Sequence, residues 1–174
     1  MKKPANIVEI FLQPGEFYFG DRETRIRTIL GSCVAVTLWH PGLRIGGMCH
    51  YMLPARGRDR RDDGQRGPEA RYADEAMKLI LWELKVNRTR AEDYEVKLFG
   101  GSSRTFPAGG IGGLAAKNAE AGKALMAANG FRVAAQDLAG GGHRNIIFDL
   151  WSGAVWVRHW KGTPPPEPSV EDAR

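Results

Sequence analysis

Apolar residues along this chain recur mostly at every second position, and at helical spacing in only two stretches. Residues 7–12 alternate through Val8, Ile10 and Leu12, and residues 24–30 through Ile26, Thr28 and Leu30, which predicts two strands. Residues 33–39, Cys-Val-Ala-Val-Thr-Leu-Trp, predict a third, with the β-branched content that a pleated surface favours. His40-Pro41-Gly42-Leu43 reads as a turn, and residues 44–52 as the strand returning from it, ending before Pro54. Further strands are expected at 94–99, 131–137, 144–150 and 154–160, the last two joined at Trp151-Ser152-Gly153.

Ala73, Ala76, Met77, Ile80 and Leu84 fall on one helical stripe, with Glu75, Lys78 and Lys85 off it. A second helix is expected from Leu114 to Asn129, stopped by Gly130. Eight strands with two late helices, and hairpins at both ends, describe a mixed α+β fold with a largely antiparallel sheet. Residues 1–162 are expected to form a single domain. Residues 163–174, opening Thr-Pro-Pro-Pro-Glu-Pro-Ser, are expected to form a disordered tail.

Charge narrows the partners. The net charge is +5, but the densest cluster, Arg56 to Arg71, alternates with Asp59, Asp62, Asp63 and Glu69 and carries no stacking aromatic before Tyr72. That pattern favours an acidic protein surface over nucleic acid, and makes Arg58, Arg60 and Arg61 the candidate substrate-docking residues. Residues 55–71 show no periodicity and read as a polar loop. No apolar run approaches a membrane span, and Met-Lys-Lys-Pro-Ala-Asn has a basic flank with no apolar stretch behind it. A cytoplasmic protein without membrane insertion is expected. Two cysteines and four scattered histidines have no zinc-ligand spacing, so no metal site is expected.

Chemistry concentrates in Leu30-Gly31-Ser32-Cys33-Val34-Ala35-Val36. A cysteine at a Gly-Ser turn, where a strand begins, lies among backbone N–H groups not yet committed to a ladder. Such donors lower a thiol pKa and can hold an oxyanion, here the N–H groups of Ser32 and Cys33. If the hairpin is centred on Pro41-Gly42, facing residues have numbers summing to 83, and Cys33 lies opposite His50, about 4.5–5.5 Å away at Cβ. Thiol and imidazole then meet as nucleophile and base. Cys49 points to the other face with Val34 and Val36, as a small buried hydrophobe, which argues against a disulfide. His40 and His159 read as surface residues; His143, after Gly140-Gly141-Gly142, reads either as lining the site or, more simply, as a loop histidine.

With these residues the chain resembles the CheD family of chemoreceptor glutamine deamidases. The resemblance lies in Gly31-Ser32-Cys33-Val-Ala-Val, His50 in Cys-His-Tyr-Met-Leu-Pro, Arg71-Tyr72-Ala73-Asp74, Lys97-Leu98-Phe99-Gly100-Gly101, Asn118, Gly142-His143-Arg144-Asn145-Ile146-Ile147-Phe148-Asp149 and Gly153-Ala-Val-Trp-Val. It spans residues 7–161. It implies a deamidase-like sandwich in which a cysteine, a histidine and a threonine convert receptor glutamines to glutamate without a cofactor. The cysteine maps to Cys33 and the histidine to His50. The family's threonine is expected six residues before the cysteine, where this chain has Arg27; Thr28 is the nearest candidate, and an offset of one leaves open which strand face it occupies. The implied partners are the cytoplasmic region of methyl-accepting chemotaxis receptors and a CheC-type phosphatase, whose docking without catalysis is the alternative role. Cysteine protease and transglutaminase chemistry would use the same dyad. A dinucleotide site is the remaining rival, because Gly110-Ile-Gly112-Gly-Leu-Ala115 precedes a helix and Asp137 follows. The strand before it, however, ends too early for the tight turn that such a site needs.

Overall fold

In the computed structural model, which describes residues 2–57, 67–103 and 113–162, the strand Val34–His40 (β4) is buried on both faces apart from its last residue. Val34, Val36 and Leu38 join one core, and Ala35 and Trp39 the other. A strand covered on both sides needs an almost unbroken apolar run, which is what residues 33–39 supply. β4 is central in a five-stranded sheet ordered β2 (Phe17–Gly20), β5 (Ile45–Tyr51), β4, β6 (Glu95–Gly100) and β7 (Val133–Leu138). The second sheet is ordered β1 (Val8–Phe11), β3 (Thr24–Leu30), β8 (His143–Asp149) and β9 (Ala154–Trp160). Five of the seven pairings are antiparallel; β1–β3 and β6–β7 are parallel.

Helices α1 (Ala73–Val86) and α2 (Leu114–Ala128) cover one face of the five-stranded sheet. Ala73, Ala76, Met77, Ile80 and Leu84 of α1 pack there with Val34, Val36, Leu38 and Leu98, as the helical stripe predicts. The opposite face of that sheet packs on the second sheet. Leu12, Ile26, Leu30, Ile146, Phe148 and Leu150 meet Ala35, Trp39, Met48 and Phe99. Each of the leucine, isoleucine, phenylalanine and methionine side chains among these contributes about 1.5–3 kcal/mol on burial. Trp39 Nε1 also donates to the Leu150 carbonyl at 2.8 Å, fastening sheet to sheet. The result is a sandwich of two sheets with helices on one side, the mixed α+β class expected.

Two expectations are corrected. Strand β2 was not predicted: it is four residues long, half-buried throughout and without alternation, so it carries no period-two signal. The β4–β5 register also differs from the one centred on Pro41-Gly42. His40 pairs with Ile45, so the loop is Pro41–Arg44, closed by Arg44 N–H on the His40 carbonyl at 2.8 Å with Arg44 at φ 54°. His50 therefore faces Ala35, not Cys33. A slip of two residues preserves the face of every side chain. Cys33 still packs toward the inter-sheet core, and Cys49, opposite Val36, toward the helices. Both are free thiols.

Between β6 and α2 lie residues 101–113, so the tight strand-to-helix turn of a dinucleotide site is absent. Gly110 and Gly112, the docking candidates Arg58, Arg60 and Arg61, and the tail 163–174 lie outside the described residues.

Candidate active site

Cys33 sits where the chain crosses from one sheet to the other, in the three residues between β3 and β4. That crossing is tied down carbonyl by carbonyl. Ser102 N–H donates to the Gly31 carbonyl at 2.9 Å, Asn118 Nδ2 to that of Ser32 at 3.1 Å, and Gly101 N–H to that of Cys33 at 2.8 Å. Gly100, at φ +111°, approaches so closely that a Cβ there would collide with the Cys33 carbonyl. Among the described residues, the N–H groups of Ser32 and Cys33 donate to no backbone carbonyl. Two donors thus remain uncommitted around the sulfur, the first requirement for holding an oxyanion.

His50 reaches the same inter-sheet layer from β5, and its backbone is held on the side away from β4: its N–H donates to Glu16 O at 2.9 Å and its carbonyl accepts Gly15 N–H at 2.7 Å. The ring is buried. Nδ1 lies 2.8 Å from Thr28 Oγ1, which itself lies 2.8 Å from the Leu12 carbonyl. Thr28 has one hydroxyl proton and Leu12 O can only accept, so Thr28 donates to Leu12 and accepts from His50. The proton of the neutral imidazole is thereby fixed on Nδ1, and Nε2 carries the lone pair. Nε2 is buried and bonds to no described group, the Cys33 sulfur included. A base with its proton-accepting nitrogen unoccupied is the second requirement for activating a thiol.

Thr28 reaches His50 because β3 buries alternate residues, Thr24, Ile26, Thr28 and Leu30. Arg27, at the position expected for the family's threonine, is on the other face and pairs with Glu9 at 2.8 Å.

Burial governs both ionisable groups. It drives the His50 pKa down to about 4, and pushes the Cys33 thiol up, against the Ser32 hydroxyl and the Cys33 N–H that favour the thiolate. The turn donors expected to lower the thiol pKa are present but outweighed. At neutral pH the pair is thiol and imidazole, not thiolate and imidazolium. Cys49, buried toward the helices, is pushed up to about 12.

One of the other three histidines, His143, approaches the Cys33 turn at Gly31. His40 accepts Leu43 N–H at 3.1 Å and sets its ring edge against Tyr94. His159 is half exposed and bonded to Asp137 at 2.6 Å. His143 opens β8, not a loop; its ring stacks on Trp160 and lies beside Gly31. Of the arginine cluster, Arg56 is folded against Glu75 and Glu69, and Arg71 lies by Glu69. Sequence patterning had assigned no role to Arg144. It is buried, bonded to Asp137 at 2.9 Å and to Ser102 Oγ, and so backs the segment that ties down Gly31. Its parity with Ile146 and Phe148 along β8 was the available signal. Among the described residues, no group of three or more His, Cys, Asp or Glu side chains could hold a metal ion, and no helix is long and apolar enough to cross a membrane.

Comparison with known proteins bears on this arrangement. The family described as CheD chemotactic sensory transduction matches residues 52–159, which begins just after His50. Similarity to individual proteins extends across the crossing turn. A protein of Pseudomonas savastanoi pv. phaseolicola named "probable chemoreceptor glutamine deamidase CheD" is 52% identical over 163 residues, covering 91% of this chain and 89% of its own. A Pseudomonas syringae pv. syringae protein of the same name is 49% identical, over 100% of this chain and 95% of its own. One from Dechloromonas aromatica, "probable chemoreceptor glutamine deamidase CheD 3", is 43% identical over 91% and 92%. The chain belongs to the CheD family.

Proposed function

We propose that this protein is a chemoreceptor glutamine deamidase in which Cys33 is the nucleophile, His50 the general base and Thr28 the residue that sets the His50 tautomer. The observation that carries the reading is the Thr28-to-Leu12 hydrogen bond, which leaves His50 with its lone pair on a buried, unpartnered Nε2. The relatives' names support the substrate class.

The chemistry starts from two neutral groups. As the γ-amide of a substrate glutamine enters, the Cys33 sulfur attacks its carbonyl carbon while His50 Nε2 takes the thiol proton. The N–H groups of Ser32 and Cys33 hold the resulting oxyanion. His50 then gives its proton to the nitrogen, the C–N bond breaks and ammonia leaves a thioester on Cys33. Water attacks the thioester with His50 again as base; the C–S bond breaks, the sulfur recovers its proton and glutamate is released. The imidazolium that forms twice is stabilised through Nδ1–H on Thr28. No cofactor enters the balance. Docking on the receptor's acidic surface is assigned to Arg58, Arg60 and Arg61, drawn by the protein's net charge of +5.

Intact-mass and peptide analysis of a receptor cytoplasmic fragment tests the reading. Wild-type protein converts specific glutamines to glutamates without cleaving or crosslinking the fragment, and Cys33→Ala leaves them unchanged. Cleavage, crosslinking, or conversion by Cys33→Ala contradicts it.

A further inference from the structure

The buried face of α2 is built from small or flexible apolar residues, Ala115, Ala119, Gly122 and Met126, with one polar exception, Asn118. Asn118 is wholly inaccessible to solvent. An amide in such a position is disfavoured unless its polar atoms are used. Its Nδ2 donates to the Ser32 carbonyl at 3.1 Å and the Met52 carbonyl at 2.8 Å. Two carbonyl acceptors call for an NH₂ group, so the chemistry fixes the orientation of the amide. Its Oδ1, buried too, has no hydrogen-bond partner among the described residues. The side chain is thus held by its two donor bonds alone.

Those two carbonyls belong to particular residues. Ser32 immediately precedes Cys33, and Met52 follows His50 by two, just past the end of β5. The two side chains do not face one another in the β4–β5 ladder, and Cys33 lies outside it. The ladder alone therefore does not set the distance between sulfur and imidazole. Asn118 joins the chain ends that carry them. The helix is seated for this by a reciprocal bond, Tyr51 Oη–H to the Asn118 carbonyl at 2.6 Å. At Gly122 a side chain would strike that Tyr51 hydroxyl.

We infer that Asn118 is a positioning residue, a clamp from α2 whose two N–H donors hold the Cys33 turn against the end of the His50 strand so that thiol and Nε2 meet when substrate enters. The inference rests on the Cys33–His50 reading above. A misplacement of about 1 Å between reacting groups can lower turnover about a hundredfold. Asn118→Ala removes both donors, and Asn118→Asp keeps the shape while setting an acceptor against two acceptors.

The test uses the full chain and three readouts: kcat and KM on a receptor fragment, iodoacetamide labelling of Cys33 against pH, and labelling of Cys49 as a monitor of the intact core. In both variants kcat is expected to fall roughly 10–100-fold with KM within about twofold. The labelling profile of Cys33 is expected to shift from the wild-type curve while Cys49 stays protected. A purely structural role would instead expose Cys49 and lower the thermal midpoint without changing the Cys33 profile of the folded fraction. Folded variants with wild-type kcat and wild-type Cys33 labelling overturn the inference. Failure of both variants to fold also overturns it, because Asn118 would then serve the fold as a whole. If wild-type protein deamidates nothing, the functional reading fails, and the labelling comparison still decides the role of Asn118.

Discussion

The two cysteines lie toward opposite faces of the five-stranded sheet, Cys49 within β5 and Cys33 in the turn before β4, and the two faces differ in kind. On the helix side, Cys49 lies among Val34, Val36, Met77 and Leu98, in a layer where burial pushes its thiol up to about 12. On the inter-sheet side, Cys33 is half-buried beside a layer that is apolar along most of its length but interrupted by Thr28 and His50, both buried, which bridge the sheets. The residue type is the same. What sets Cys33 apart from Cys49 is its partial exposure, the uncommitted Ser32 and Cys33 N–H groups beside it, and a layer that also holds the buried His50 with its tautomer set by Thr28.

The largest effects should separate the two faces outright. Cys33→Ala should abolish receptor deamidation, and His50→Ala should lower kcat by about 10²–10⁴-fold, the range for loss of a general base. Cys49→Ala should keep kcat within about threefold and lose only packing, of the order of 1 kcal/mol. Kinetics on the receptor fragment with equilibrium denaturation on each variant would check this. A large loss of kcat in a folded Cys49→Ala variant would erase the contrast.

Next in size is the pH dependence of folding. His50 is neutral and buried, with its pKa lowered by desolvation from 6.5 to about 4. The unfolded chain therefore binds the proton more readily. The stability associated with neutral His50 is fully present above pH 6.5 and is lost as the pH falls through that window toward 4. The difference corresponds to about 3 kcal/mol. Urea titrations at pH 7 and pH 4 should show the loss in wild-type protein, and a folded His50→Leu variant should show correspondingly less. Equal losses of stability in the two proteins would mean that His50 is not held neutral.

Smaller again is the effect of the orienting hydroxyl. Thr28→Val keeps the volume but leaves His50 Nδ1–H without an acceptor and Leu12 O without a donor. We expect kcat to fall about 10–30-fold, less than for His50→Ala, with Thr28→Ser restoring most of it. Wild-type kcat in Thr28→Val would remove the hydroxyl from the mechanism.

How much of this was legible beforehand depended on the length of the signal. The alternation of residues 24–30 gave β3 at its observed bounds, and the stripe from Ala73 to Leu84 gave α1. The faces of Cys33 and Cys49 were legible as well, because parity survives a slip of two. The register was not, since Pro41-Gly42 suggests a tight corner while Arg44 in the left-handed region closes a longer loop. The Thr28–His50 contact depends on how two separate sheets stack, which no local period encodes. Asn118 was legible only as one of the residues that carry the family resemblance, and its partners come from two distant turns.

The smallest expected effect concerns docking. Replacing Arg58, Arg60 and Arg61 together with alanine should raise KM a few-fold at low salt and flatten its salt dependence, because exposed charges are screened over about 8–10 Å at physiological ionic strength. kcat should be unchanged. A triple variant with the wild-type KM and salt slope would place docking elsewhere.

The central claim, that an amide is opened on the inter-sheet thiol and not on its neighbour across the sheet, has a direct test in the covalent intermediate. Acid quenching of the protein during turnover of a receptor fragment, followed by mass analysis, should trap a hydroxylamine-sensitive thioester mapped to Cys33. The adduct should be absent from Cys49 and from Cys33→Ala. An adduct on Cys49, or undiminished deamidation by Cys33→Ala, would contradict the account.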